Sequence, residues 1–265
     1  MKTEIRLGSV VEDGVGGEEC AAIDLIYAFL LHEFGQDIYR RIGINQIGDD
    51  LEEFVVKDGG NKVHVNIRYP VTQDFDNKSV DEKNNTRLEV VHEALLRVAK
   101  FEGKLDVNKL IAIRDKILAC NFLFEFVRKT FTDKKHPSLV VKLIINPLID
   151  RFNFYAVVEE HQEFKCRTLI LEGKSVLFMG DDFFCYGKWI TKNEFVFSGK
   201  KEEVQTCLNI DTCSFHFINL TSYSKPPWLT LMNMNSTDKE RKQADKDWWH
   251  SLPPSIASVI REAEN

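Results

Sequence analysis

The sequence predicts an α+β protein: a helical N-terminal part with a β-hairpin, followed by an antiparallel β-meander with C-terminal helices packed on it. Three observations point there. Apolar residues recur at helical spacing in three segments before residue 120. Fourteen of the 19 phenylalanines fall between Phe122 and Phe217, in short runs of alternating character that suit a β-rich core. After Pro226-Pro227 the chain regains helix start signals. The natural division is residues 1–120, mainly helical and acidic with a hairpin, and residues 121–265, a sheet with terminal helices, or both as one continuous domain. A chain of 265 residues is long enough to bury a core without disulfides or metal.

The first helix is expected from Cys20 to Ile42, on Ala22, Ile23, Ile26, Tyr27, Leu30, Phe34 and Ile38. Gly35 weakens its middle and marks a point where it can break; Gly43 is its stop. The period then changes. Val63, Val65, Ile67 and Tyr69 alternate with His64, Asn66 and Arg68, and Asp58-Gly59-Gly60-Asn61 is turn chemistry, so Phe54–Lys57 and Lys62–Tyr69 form a hairpin. Val71 to Asn85 is polar and acidic and reads as an exposed loop. A second helix runs from Thr86 to Phe101 on Leu88, Val91, Leu95 and Val98, and Gly103 ends it. Asp106 caps a third, from Val107 to about Ala119.

From Phe122 onward the strands follow closely. Phe122, Phe124 and Phe126 alternate, as do Leu139 to Ile145 and Phe152 to Val158. Turns at Glu172-Gly173-Lys174, Lys192-Asn193 and Asp211-Thr212 separate further strand pairs. Short strands with short turns predict a meander rather than βαβ units. Thr237 and Glu240 form a capping box for a helix reaching about Trp249, and Pro254 suits the first turn of a last one.

Charge separates the two parts. Residues 1–100 carry 12 basic and 19 acidic side chains, a net of −7, and the remainder nets +1. This argues against nucleic-acid binding, which needs basic stripes, and suits a surface that meets a basic partner. The start has no apolar signal-like run, and Ala21–Leu31, broken by Asp24, is too short to span a membrane, so a cytoplasmic protein without membrane contact is expected. The six cysteines include no C-x-x-C pair and read as reduced thiols packed as small hydrophobes.

Catalytic signatures are missing. His32-Glu33 opens an H-E-x-x-H pattern, but its fifth position is Gln36, a poor substitute for the imidazole that zinc prefers. His92-Glu93 fails more plainly, with Leu96 at that place. There is no G-x-S-x-G elbow and no phosphate-binding loop; the glycines at 14, 16 and 17 stand among acidic residues that repel phosphate. No catalytic residue, cofactor or metal is therefore assigned. Two acidic clusters remain: Asp49, Asp50, Glu52 and Glu53, then Asp74, Asp76, Asp81 and Glu82. Each reads as a solvated face, as contact with a basic protein, or as carboxylates for a divalent metal. Gly180 to Phe183 is read as a turn, and Trp228, Trp248 and Trp249 as seals of a terminal helix or as interface anchors.

In general character, acidic, compact and without a catalytic signature, the chain resembles bacterial immunity proteins, which neutralise a toxin domain by docking an acidic surface on it. The resemblance is one of class; no motif carries it and no residue is transferred by it. It implies a non-enzymatic inhibitor of a basic protein, and the acidic clusters themselves offer Asp49, Asp50, Glu52, Glu53, Asp74 and Asp76 as its partner-binding residues. The alternatives are a metal-dependent hydrolase with a non-standard site, and an accessory subunit held in a larger assembly by its Trp248–Trp249 end.

Overall fold

A computed structural model describes residues 3–9, 15, 20–70, 75–132, 134, 136–149, 151–173, 184–199, 205–218, 237, 240, 242, 243, 246, 247 and 250; of Asp76 and Ile218 it describes only the backbone. The chain divides into two units, residues 1–124 with 147–150 and residues 125–146 with 151–265.

The first unit begins with a strand, β1 (Glu4–Ser9), whose Ile5 and Leu7 are buried between the more exposed Glu4 and Arg6. Helix α1 (Ala21–Glu33) follows and is buried from Ala21 through Leu31, so it is a core helix rather than an amphipathic one. It ends at Gly35, in the left-handed region at φ +66°, with Gln36 N–H donating to Leu31 O (2.7 Å) and Gly35 N–H to His32 O (3.1 Å). That pair of bonds is a Schellman stop, and it satisfies carbonyls the helix end would leave bare. The chain turns back as β2 (Arg41–Gln46), which runs parallel to both β1 and β4. β3 (Phe54–Asp58) and β4 (Lys62–Ile67) make an antiparallel hairpin around Gly59, Gly60 and Asn61. The sheet order is β1-β2-β4-β3. Ile42, Ile44, Val63, Val65 and Ile67 are fully buried, and α1 and α2 lie against the sheet. Helix α2 (Val80–Glu102) starts in a capping box, Ser79 with Glu82, and stops at left-handed Gly103. Helix α3 (Val107–Ala119) is capped by the Asp106 carboxylate, which accepts from Asn108 N and Lys109 N.

The second unit holds two four-stranded sheets. One contains β5 (Phe126–Thr132), β6 (Leu139–Pro147), β7 (Phe152–Glu160) and β8 (Glu163–Gly173) in that order. The other contains β9 (Tyr186–Thr191), β10 (Glu194–Ser198), β11 (Gln205–Asn209) and β12 (Ser214–Ile218), antiparallel throughout. Aromatic rings join them: Phe131 of β5 lies 5.3 Å from Phe195 and 5.7 Å from Phe197 of β10, and Phe154 of β7 meets Phe184 at 5.5 Å. Edge and tilted geometries at these spacings add to the burial of large rings. Gly187 is required there, because a Cβ would come within 2.4 Å of the Phe195 ring and 2.5 Å of the Phe131 ring. A disulfide between Cys166 of β8 and Cys213, in the turn before β12, ties the sheets together.

Three expectations are corrected. The N-terminal part is not a helical region with a hairpin: it is a mixed four-stranded sheet with a parallel βαβ unit, β1-α1-β2, covered by α1 and α2, on which α3 packs. Phe34 and Ile38 extend the apolar spacing of α1 past Gly35, which hid the period-two pattern of Ile42 and Ile44; β1 was hidden by its charged residues. The β-rich part is two sheets, not one meander, and the described element order ends on β12 rather than on helices packed against a sheet. The Thr237–Glu240 capping box does form, and helical Glu240, Lys242, Gln243, Lys246, Asp247 and His250 are all exposed. The last helix, the strand at 175–179, the Gly180–Phe183 turn and Trp228, Trp248 and Trp249 lie outside the described residues. Cys166 and Cys213 are not reduced core thiols but partners, 47 positions apart, a pairing that no spacing motif announces.

Candidate partner-binding site

The first acidic cluster occupies the connection from β2 to β3. Ile47 N–H bonds to Ile67 O (3.0 Å), and a turn follows in which Leu51 N–H reaches Gly48 O (3.4 Å). The Arg68 guanidinium holds the Leu51 carbonyl, and Glu53 accepts from Arg68 N–H and from Arg97 Nη1, each at 2.7 Å. Arg97 also bonds Glu93, one turn earlier on α2, at 3.1 Å. The Arg68 backbone N–H first, and the Arg97 guanidinium after it, hold the Glu53 carboxyl below its ordinary range. Glu53 is thus a structural clamp between α2 and β3, its charge already answered.

Asp49, Asp50 and Glu52 differ. All three are exposed, and none makes an ion pair or side-chain hydrogen bond among the described residues. Three uncompensated carboxylates therefore stand within four residues, on a loop pinned by Arg68 and Arg97.

Directly after them lies an apolar edge. β3 is the outermost strand of its sheet. Its register places Val55 and Lys57 on the face of Val65 and Val63, and Phe54 and Val56 on the other face, with Asn66 and His64. Phe54 is 44% exposed, Val56 46%, Leu51 42% and Phe101, at the end of α2, 51%. An open groove of about 550 Å³ runs between strand and helix, lined by Glu53, Phe54, Val55, Glu93, Leu96, Arg97, Lys100 and Phe101. The groove thus combines exposed apolar side chains with a rim of charged ones.

Of the second cluster, the described carboxylates Asp81 and Glu82 are not part of this groove. Asp81 and Glu82 sit in the first turn of α2, where Glu82 bonds the Ser79 hydroxyl and backbone N–H. At about 1.5 Å per residue they are roughly 30 Å along the helix from Phe101. Asp74 and the Asp76 side chain lie outside the described residues.

The remaining chemical candidates are structural. His32 is exposed and bonds Asp37 (2.8 Å). Gln36 is buried; its Oε1 accepts from Asp106 N–H (2.7 Å) and its Nε2 donates to Gly35 O (3.1 Å), which joins the end of α1 to the start of α3. Among the described residues no group of His, Cys, Asp or Glu is placed to hold a metal ion, and no helix is long and apolar enough to cross a membrane. His92 is buried against the Tyr27 hydroxyl (2.9 Å), which also donates to Leu110 O (3.2 Å). Burial lowers the His92 pKa and so favours the neutral ring.

Sequence reasoning missed Asp24. It is 4% exposed; Oδ2 accepts from Leu7 N–H at 2.9 Å while Oδ1 has no partner, and burial pushes its pKa up to about 7. The signal was the charge inside an apolar run. It also missed Phe54 and Val56, which look like core residues until the β3–β4 register turns them to the face of Asn66 and His64, and Phe101, at the end of α2. Comparison with protein-family models, curated proteins and solved structures returned no match.

Proposed function

We propose that this chain is a non-enzymatic protein-binding protein, an immunity-type inhibitor that docks an acidic surface on a basic toxin domain or another basic protein. The observation that carries this reading is the uncompensated trio Asp49, Asp50 and Glu52 beside the exposed apolar strip of Leu51, Phe54 and Val56. The carboxylates would speed encounter with a basic surface, and that effect falls with salt. The apolar strip would supply contact energy that salt does not remove. Glu53 contributes by holding the loop, since Arg97 and Arg68 already occupy it.

The reading places the protein in the cytoplasm, and Cys166–Cys213 pulls against that, because disulfides persist in oxidising compartments. Thiol counting on protein trapped directly from its native cell separates the cases: six free thiols fit the cytoplasm, and four, with Cys166 and Cys213 bonded, do not.

The binding test is affinity capture from the native host, eluted by a salt gradient and run in parallel with an Asp49→Lys, Asp50→Lys, Glu52→Lys variant. A basic protein retained by the wild type and lost from the variant supports the reading. Equal recovery on both removes it.

A further inference from the structure

The edge of β3 carries more than an acidic docking face. As the last strand in the order β1-β2-β4-β3, it presents a row of backbone N–H and C=O groups with no ladder partner among the described residues. Native sheets usually guard such edges with bulges, prolines or outward lysines. Bulges interrupt the pairing of β5, β8 and β9, and charged Glu4 and Arg6 stand on β1. β12 leads straight into residues outside the described set. β3 has neither bulge nor proline, and its charged residues, Lys57 and Asp58, stand together at its far end, which leaves Phe54 to Val56 unguarded. Its five pairs with β4 run in unbroken register, and it contains no proline. Its one lysine, Lys57, is drawn to the helix side, where Nζ meets Glu102 at 3.1 Å.

We infer that β3 accepts an added strand: an extended segment of the partner, apolar at alternate positions and carrying lysine or arginine at the end beside Asp49, Asp50 and Glu52. This rests on the reading of the site as a protein-docking surface and specifies how the partner is held. Backbone bonds to β3 supply affinity, and alternate side chains supply specificity. Phe54 and Val56 share one face of β3, so an added strand would set its own apolar residues beside them. The three carboxylates select a basic occupant. At about 3.4 Å per residue the five residues of β3 match a segment of similar length.

The test uses the full chain and an acetylated, amidated heptapeptide alternating valine with lysine. Two further versions carry N-methyl groups on alternate amides, one set on each edge of the extended peptide. An added strand bonds through one edge only, so one methylated register should bind roughly tenfold or more weakly and the other should bind nearly as well as the parent. Amide shifts on addition should concentrate on residues 54–58. Equal binding of both methylated registers overturns the added strand, as does failure of the parent peptide to bind at about millimolar concentration. Equal binding that is also lost in the Asp49→Lys, Asp50→Lys, Glu52→Lys variant overturns the strand but keeps the acidic reading. Register-dependent binding that survives this variant overturns the basic partner chemistry. Self-association through β3, seen as a dimer in sedimentation, would make the occupant a second copy and overturn the proposal.

Discussion

Replacing Asp24 with asparagine should remove the loss of stability that Asp24 imposes on the first unit as pH rises. The carboxyl is 4% exposed, and its folded pKa is raised from 3.8 to about 7. In that window the folded state binds more protons than the unfolded chain, so the stability contributed by neutral Asp24 is full below about pH 3.8 and is lost as pH rises through 7. A shift of about three units corresponds to about 4 kcal/mol at most. In Asp24→Asn the new side chain can still accept from Leu7 N–H through its carbonyl, but its amide replaces the partnerless Oδ1 and brings unsatisfied N–H groups, at a cost of about 1–3 kcal/mol. The net expectation is a variant about 1–3 kcal/mol more stable than wild type at pH 8, within about 1 kcal/mol of it at pH 5, and about 1–3 kcal/mol less stable below about pH 3.8. Urea unfolding followed by helical ellipticity reads this chiefly through α1, α2 and α3, which all belong to the first unit. His92 works in the opposite sense, and subtracting the two profiles removes it. Parallel profiles for D24N and wild type from pH 4 to 8 would refute the assignment of a buried, neutral Asp24.

Three other outcomes follow from the same physics. Arg97→Ala should lower stability by less than about 1 kcal/mol, because its pairs are about one-third exposed, yet speed association with a basic partner by freeing Glu53 and Glu93; slower association would contradict the charge map. Neutral His92 contributes stability that is present above pH 6.5 and lost as pH falls through its lowered folded value, so an NMR titration of its ring should show a midpoint below 6.5; a midpoint above it would contradict the burial-driven shift. Cys166→Ser should destabilise the second unit by up to roughly 4 kcal/mol, from the loop entropy of a 47-residue separation, in a calorimetric scan that leaves the first unit's transition in place; an unchanged scan would show the bond to be energetically idle.

Much of the local structure was legible because local chemistry dictates it. The β3–β4 hairpin, the Asp106 cap of α3 and the Gly103 stop of α2 all lie where turn and cap residues place them. The start of α2 was missed because Asp81 to Asn85 looks like a loop, although Ser79 and Glu82 have capping-box spacing. Parallel pairing was missed because β2 meets β1 and β4 across long sequence separations, and no residue announces a partner so far away. The acidic residues at 49–53 were readable from composition, but not the division of labour among them: Glu53 is held by Arg68 and Arg97, while Asp49, Asp50 and Glu52 are left to solvent. The apolar half of the site depends on β3 being outermost, a property of sheet order that the run "FVVKD" does not contain.

The central claim is that a basic partner is steered by those three carboxylates. Its most direct test is the association rate of the captured partner, measured by surface plasmon resonance across a salt series, for wild type and for the Asp49→Lys, Asp50→Lys, Glu52→Lys variant. Steering predicts a rate at least roughly tenfold slower for the variant at low salt, with the two converging as salt rises. Equal rates at every ionic strength would contradict it.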